Sequence, residues 1–216
     1  MNSIKKHFKH IKDVESTNSS FCKIGDSSDT LILSFGHMAH GGFANKQSLI
    51  RKKFKNDNFD ILYMRDVEKK WYLCGLPEIG DSFSDTLTFL KSVTSKYKNT
   101  IYIGSSMGGY ASILFASLLK GSTSIAQMPQ TDLDYVLNKN GCVNKFEPIK
   151  NKHSEVWNAY KNLNLIINDS TKYIIGGFNP KSHALHNPHH KNNIESHENV
   201  ILPNDFNFLE QVNKHI

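Results

Sequence analysis

At 216 residues, the chain is long enough for one domain with a substantial core. Its 38% hydrophobic and 21% charged residues exclude a disordered chain, and no apolar run reaches membrane-spanning length. The net charge of +6 comes from scattered Lys and Arg, not from a basic run interleaved with aromatics, so a lysine-rich solvated surface is expected and a nucleic-acid partner is not.

Residues 1–20 are polar and begin basic, with no apolar stretch of the kind a secretory signal needs, so a cytoplasmic protein is expected. Cys22, Cys74 and Cys142 are odd in number and far apart, which fits free thiols in a reducing compartment. No repeat or Pro/Gly/Ser linker divides the chain. The expected organisation is a polar N-terminal segment, 1–20, followed by a single domain over 21–216.

TLILSFG (30–36) is a β-branched and apolar run ending in Gly and predicts a buried strand. KQSLIRKKF (46–54) has helical spacing, and FDILYMRD (59–66) predicts a second strand. An aromatic and glycine-bearing loop, KKWYLCGLPEIGD (69–81), follows. Its Trp71, Tyr72 and Leu73 are read as core in preference to a sugar-stacking surface.

DSFSDTLTFLKSVTSKY (81–97) predicts a helix capped by Asp81 or Ser82, with Phe83, Leu87, Leu90 and Val93 facing inward. TIYIGS (100–105) is the third strand, MGGYASILFASLLK (107–120) a helix, and STSIAQMPQ (122–130) the fourth strand. One or two helices are expected within 131–165. TKYIIGGFN (171–179) and ENVILP (198–203) are the last strands, and DFNFLEQVNKHI (205–216) is a closing helix. Strands alternate with helices, and the strands are continuously apolar. An α/β fold follows: a mostly parallel sheet with helices on both faces and a small lid or none. Function in such a sheet gathers at the carboxyl ends of the strands.

Gly104-Ser105-Ser106-Met107-Gly108 fits G-x-S-x-G, the turn that displays a nucleophile between a strand and a helix. The backbone there is strained, so residues two positions to each side must be small. Gly104 and Gly108 satisfy this for Ser106, whereas Ser105 would need a small residue at Ile103. The helix start favours an anion, which makes the Met107 N–H one oxyanion donor. The second is expected from SFGHMAHGG (34–42), at the backbone near Gly36 or His37. The competing structural reading is a tight turn in which Ser106 merely caps the helix. A phosphate loop is a poorer fit, because the stretch lacks the Gly-Lys-Ser/Thr ending and is not G-x-G-x-x-G.

From TLILSFG through FDILYMRD, WYLCGLPEIGD, IYIGSSMGGYASILFASLL and IAQMPQTDL to YIIGGFNPKSHA and NVILP, the chain resembles compact α/β-hydrolase-fold proteins associated with bacterial surface-polysaccharide biosynthesis. Some of those are serine esterases or glycan O-acetyltransferases. The resemblance implies a serine–acid–histidine triad, with the acid in a D-x-x-H-A-like stretch and the histidine in a G-H-N-like stretch. Here Pro180 stands where the acid belongs, ahead of His183 and Ala184, and Phe206, or Asp205 with a small shift, stands where the histidine belongs.

A rebuilt triad would use His183 as base and Asp205 as acid, or take its acid from Asp132. The expected activity is serine-dependent acyl transfer, as an esterase or a glycan O-acyltransferase acting on a small ester or glycan. No cofactor is expected, although a transferase would draw its acyl group from a donor such as acetyl-CoA. One alternative is a non-catalytic relative that binds glycans or assists assembly. Another is a metal site in the run His183, His186, His189 and His190, facing His37 and His40, with imidazoles suited to Zn or Ni.

Overall fold

The computed structural model of the chain describes residues 21–25, 28–38, 59–139, 143–178 and 188–215. The polar segment 1–20 and the helix anticipated at 46–54 lie outside them. Phe21–Ile24 form β1, Thr30–Phe35 form β2 and Asp60–Met64 form β3. Helix α1 (Phe83–Thr94) leads to β4 (Asn99–Ser105), and α2 (Met107–Leu119) leads to β5 (Thr123–Gln127). Between β5 and β6 (Lys172–Gly176) lie α3 (Leu133–Lys139), α4 (Val143–Lys152), α5 (Ser154–Tyr160) and a 3-10 turn at Leu163–Leu165. A short helix, α6 (Pro188–Asn192), precedes β7 (Val200–Ile201), and α7 (Phe208–Asn213) follows it.

The strands make one sheet in the order β1-β3-β2-β4-β5-β6-β7. Six are parallel neighbours, and β1 alone runs antiparallel, on β3. β1 is the strand that the sequence reading did not anticipate. The order departs from sequence order at β2, where the chain begins to wind in the opposite direction. The carboxyl ends of β2 and β4 therefore open onto a crevice at the middle of the sheet.

Alternation along each strand divides the interior in two. Leu31, Leu33, Phe35, Leu62, Met64, Tyr102, Ala126, Tyr173 and Ile175 point to one face, where α1 to α5 cover them. Ile32, Ile61, Tyr63, Ile101, Ile103, Ile125 and Ile174 point to the other, with Phe208 and Val212 of α7. Both faces are buried, which is why these strands read as unbroken apolar runs. The described helices between β5 and β6 pack into the core: Val136, Phe146, Trp157 and Leu163 are all 0% exposed and belong to the larger cluster.

Helix α1 begins as its sequence suggests. The Ser82 hydroxyl accepts from the Asp85 N–H, and the Asp85 carboxylate accepts from the Ser82 N–H, a reciprocal cap. Phe83, Leu90 and Val93 are buried, and Leu87 packs at the margin of the core. Trp71, Tyr72 and Leu73 are at most 1% exposed, so the aromatic loop is core. Among the described residues, no helix is long and apolar enough to cross a membrane.

Candidate active site

Ser106 stands between β4 and α2 with φ 55° and ψ −121°. A non-glycine residue reaches that region only when its surroundings hold it there. The glycines show how this happens. A Cβ at Gly104 would lie 2.0 Å from the Gly108 carbonyl oxygen, and one at Gly108 would lie 2.2 Å from the Phe35 oxygen. The end of β4, the start of α2 and the end of β2 therefore meet backbone to backbone. The Ser106 N–H donates to the Gln127 carbonyl at 2.8 Å, and its carbonyl accepts the first helical bond, from the Tyr110 N–H at 2.9 Å. The Ser106 side chain makes no capping bond, so the helix-cap reading fails and the half-buried hydroxyl is presented at the strand end.

Met107 is the first residue of α2, one of the four positions whose N–H has no intrahelical acceptor. On the facing loop, the Gly36 N–H is committed to the Met64 carbonyl at 2.9 Å. His37 follows, half-buried, beside the elbow that Gly36 borders.

That loop is held by Tyr72, whose buried hydroxyl lies 3.1 Å from the Gly36 carbonyl and 3.2 Å from that of Met64. Burial keeps the phenol well above its ordinary pKa, with the Asp66 carboxylate adding to the rise, so Tyr72 remains a neutral donor. Tyr72→Phe removes this tie and is expected to lower the free energy of unfolding by about 1–2 kcal/mol, measured by urea denaturation. A loss below a few tenths would show that the loop is held without it.

The partner that the structure gives Ser106 was not anticipated. Gln130, fully buried just beyond β5, places its amide Nε2 3.0 Å from Ser106 Oγ. The Trp71 indole N–H donates to Gln130 Oε1 at 3.2 Å. Trp71 reaches that position from a turn in which Lys69, Trp71 and Tyr72 hold φ of 58°, 54° and 59°. Its ring also packs on Phe146, with centroids 4.3 Å apart. The turn wraps Asp66, whose carboxylate accepts from the Lys70 N–H at 2.6 Å and the Tyr72 N–H at 2.9 Å.

His183, the expected base, lies outside the described residues. Asp205 is exposed in the turn between β7 and α7, and no hydrogen bond joins it to Ser106 among the described residues. The neighbouring Phe206 packs on β6, where a Cβ at Gly176 would come within 2.4 Å of its ring.

Asp132 accepts from the Tyr135 N–H at 3.0 Å and pairs with His189 Nε2 at 3.0 Å, while the His189 ring stacks on Tyr135. His190 is fully buried, its Nδ1 accepting from the Thr131 N–H at 3.2 Å. These two histidines thus tie α6 to the segment after β5. Among the described residues, no group of three or more His, Cys, Asp or Glu is arranged to hold a metal ion. Cys74 is free and buried, and burial pushes its thiol pKa up to about 11, too high for a nucleophile at neutral pH.

A parallel sheet whose strand order switches at β2, with a strained serine between the neighbouring strand β4 and the helix after it, has the architecture of the α/β-hydrolase fold. The comparisons with solved structures agree. The chain is similar to the Glycosylation Associate Protein (Gap123) complex from Streptococcus agalactiae, with a TM-score of 0.59, 11% identity, and coverage of 90% of this chain and 44% of that one. It is similar to an inhibited esterase B from Lactobacillus rhamnosis, with a TM-score of 0.53, 13% identity, and coverage of 81% and 64%. It is also similar to acetyl xylan esterase 1 from Thermoanaerobacterium sp. JW/SL YS485, with a TM-score of 0.55, 16% identity, and coverage of 90% and 76%. The chain thus spans less than two thirds of the first two. At these identities the likeness is one of fold. No protein-family model matches the sequence, and no curated protein matches it.

Proposed function

We propose that the protein is a serine-dependent acyl-transfer enzyme with Ser106 as its nucleophile. The observation that carries this reading is the Ser106 backbone, held at φ 55° by contacts that leave its hydroxyl outside the helix cap. Such strain is maintained only where the surroundings over-determine it, and it gathers at functional turns. In the reaction, Ser106 Oγ forms a bond to an ester carbonyl carbon as its proton passes to a base. The carbonyl electron pair moves onto oxygen, and the Met107 and His37 N–H groups stabilise that charge. Collapse breaks the ester C–O bond, and the alcohol leaves with the proton.

His183 is the proposed base and Asp205 the proposed acid. Water as acceptor makes the protein an esterase; a sugar hydroxyl makes it a glycan O-acyltransferase, supplied by a donor such as acetyl-CoA. The esterases and the glycosylation-associated protein among the structural neighbours support a small ester or glycan as substrate.

One observation favours a second reading, a non-catalytic relative that binds glycans or assists assembly. Phe206, where the resemblance puts the histidine, is a packing residue on Gly176. A fluorophosphonate probe separates the two. A covalent adduct mapped to Ser106 by mass spectrometry and absent from Ser106→Ala is the expected result, together with loss of labelling in His183→Ala. An unmodified wild-type Ser106 overturns the enzymatic reading in favour of the binding one.

A further inference from the structure

Gln130 has a role that the expected triad does not contain. A Gln amide has a donor end and an acceptor end, and its contacts decide which way it faces. Here the choice is forced by Trp71, because an indole N–H can only donate. The end 3.2 Å from Trp71 Nε1 must be the oxygen, and so the end 3.0 Å from Ser106 Oγ is the N–H. Ser106 Oγ is an acceptor in this contact. Gln130 cannot take the serine proton, which excludes it as a base, but its N–H points at the atom on which negative charge gathers as that proton leaves.

Gln130 is also immobilised before any substrate arrives. Its side chain is fully buried, and a buried amide keeps its place only with both ends bonded. The next residue is pinned through its backbone: the Thr131 N–H donates to His190 Nδ1 at 3.2 Å, and the Thr131 hydroxyl donates to the His190 carbonyl at 2.9 Å. A fixed donor costs no reorganisation during the reaction, and that is the source of its leverage.

The geometry points to Gln130 as a catalytic residue, a side-chain donor that stabilises the Ser106 oxygen as its proton leaves. Trp71 is the positioning residue that sets the amide's direction. This assignment rests on Ser106 being the nucleophile. No proton leaves Gln130 at any step; the serine proton goes to the base, and the amide only donates a hydrogen bond while Oγ bonds to carbon and the carbonyl pair moves to oxygen.

The test measures fluorophosphonate labelling of Ser106 as a maximal rate and an apparent binding constant. Gln130→Leu keeps the bulk and removes the donor. Its maximal labelling rate is expected to fall on the order of 100-fold with the binding constant little changed. Gln130→Glu supplies a second readout, taken only at pH values where thermal unfolding shows the variant folded, so that a loss of structure on ionisation is not read as loss of the donor. The carboxylate has no donor at neutral pH and regains one when protonated, so the rate of Gln130→Glu relative to wild type is expected to rise as pH falls. That ratio decides the matter even if Gln130→Leu does not fold. Labelling of Gln130→Leu within twofold of wild type, or a pH-independent ratio for Gln130→Glu, overturns the assignment and leaves Ser106 standing. An unlabelled wild type overturns the nucleophile itself, and this assignment with it.

Discussion

Gly108→Ala is expected to cost about 3 kcal/mol or more and to silence Ser106 toward a fluorophosphonate, whereas Gly109→Ala leaves both nearly unchanged. The added methyl at Gly108 would sit 2.2 Å from the Phe35 carbonyl oxygen and 2.9 Å from that of Gly36. Both are backbone atoms at the end of β2, in the loop that borders the proposed oxyanion site. Relieving the clash means moving the start of α2 away from β2, which takes the Met107 N–H with it. The same holds at Gly104, where the methyl would meet the Gly108 carbonyl at 2.0 Å.

At Gly109 the contacts are 3.1 Å to the Gln127 carbonyl and 3.3 Å to Pro129, which a shift of a few tenths of an ångström relieves. Gly109 lies within α2, where Gly→Ala gains about 1 kcal/mol of helix propensity to offset that shift. Thermal unfolding and probe labelling of the three variants check the contrast. A Gly108→Ala protein with wild-type melting and labelling would show that the bend is not the close-packed junction that holds Ser106 at φ 55°.

This junction was legible in the sequence because steric demand leaves a local mark. Three chain segments meeting at backbone contact need residues without side chains, at fixed spacing around one serine. The sheet was legible for a similar reason: strands buried on both faces are continuously apolar, and Ile32, Ile101 and Ile125 alternate with Leu31, Tyr102 and Ala126 across the two cores.

β1 left no such mark. Four residues, Phe-Cys-Lys-Ile, at the sheet edge give too short a pattern to separate from the polar segment before them. The contact between Gln130 and Trp71 left no mark for another reason. They lie 59 residues apart, and their meeting depends on left-handed backbone at Trp71 and Tyr72, where no glycine signals a positive φ. Trp71 is core, as expected of its aromatic loop, yet its indole N–H also bonds the amide that touches Ser106; burial and a polar contact coincide in one side chain. The strand read over 122–130 ends on Gln130, and that place at a carboxyl end, the edge where such sheets place their chemistry, is the signal the sequence carries for it.

What holds that left-handed turn leads to the second large effect, at Asp66. Its Oδ2 accepts both the Lys70 and the Tyr72 N–H, and Tyr72 is 0% exposed. Asp66→Ala leaves these donors without their acceptor and releases a strained turn. It is expected to cost on the order of 2–4 kcal/mol and, by freeing Trp71 from Gln130, to slow labelling of Ser106. Asp66→Asn keeps an oxygen at the same place and separates the hydrogen bonds from the charge. Burial is the largest influence on the carboxyl and holds its pKa above the ordinary 3.8, against the opposing pull of the Tyr72 and Lys70 N–H bonds.

The sign follows from which state ionises first. As pH rises from the unfolded pKa through the higher folded one, the unfolded chain gives up its proton sooner, so wild type loses stability over that interval. The amide that Asp66→Asn introduces has no proton to lose in this range. The stability of Asp66→Asn relative to wild type is therefore expected to grow from acid to neutral pH, with Ser106 labelling preserved. If wild type instead gains on Asp66→Asn over that range, the two N–H bonds outweigh the cost of burying the charge, and the turn that places Trp71 is built around an ion.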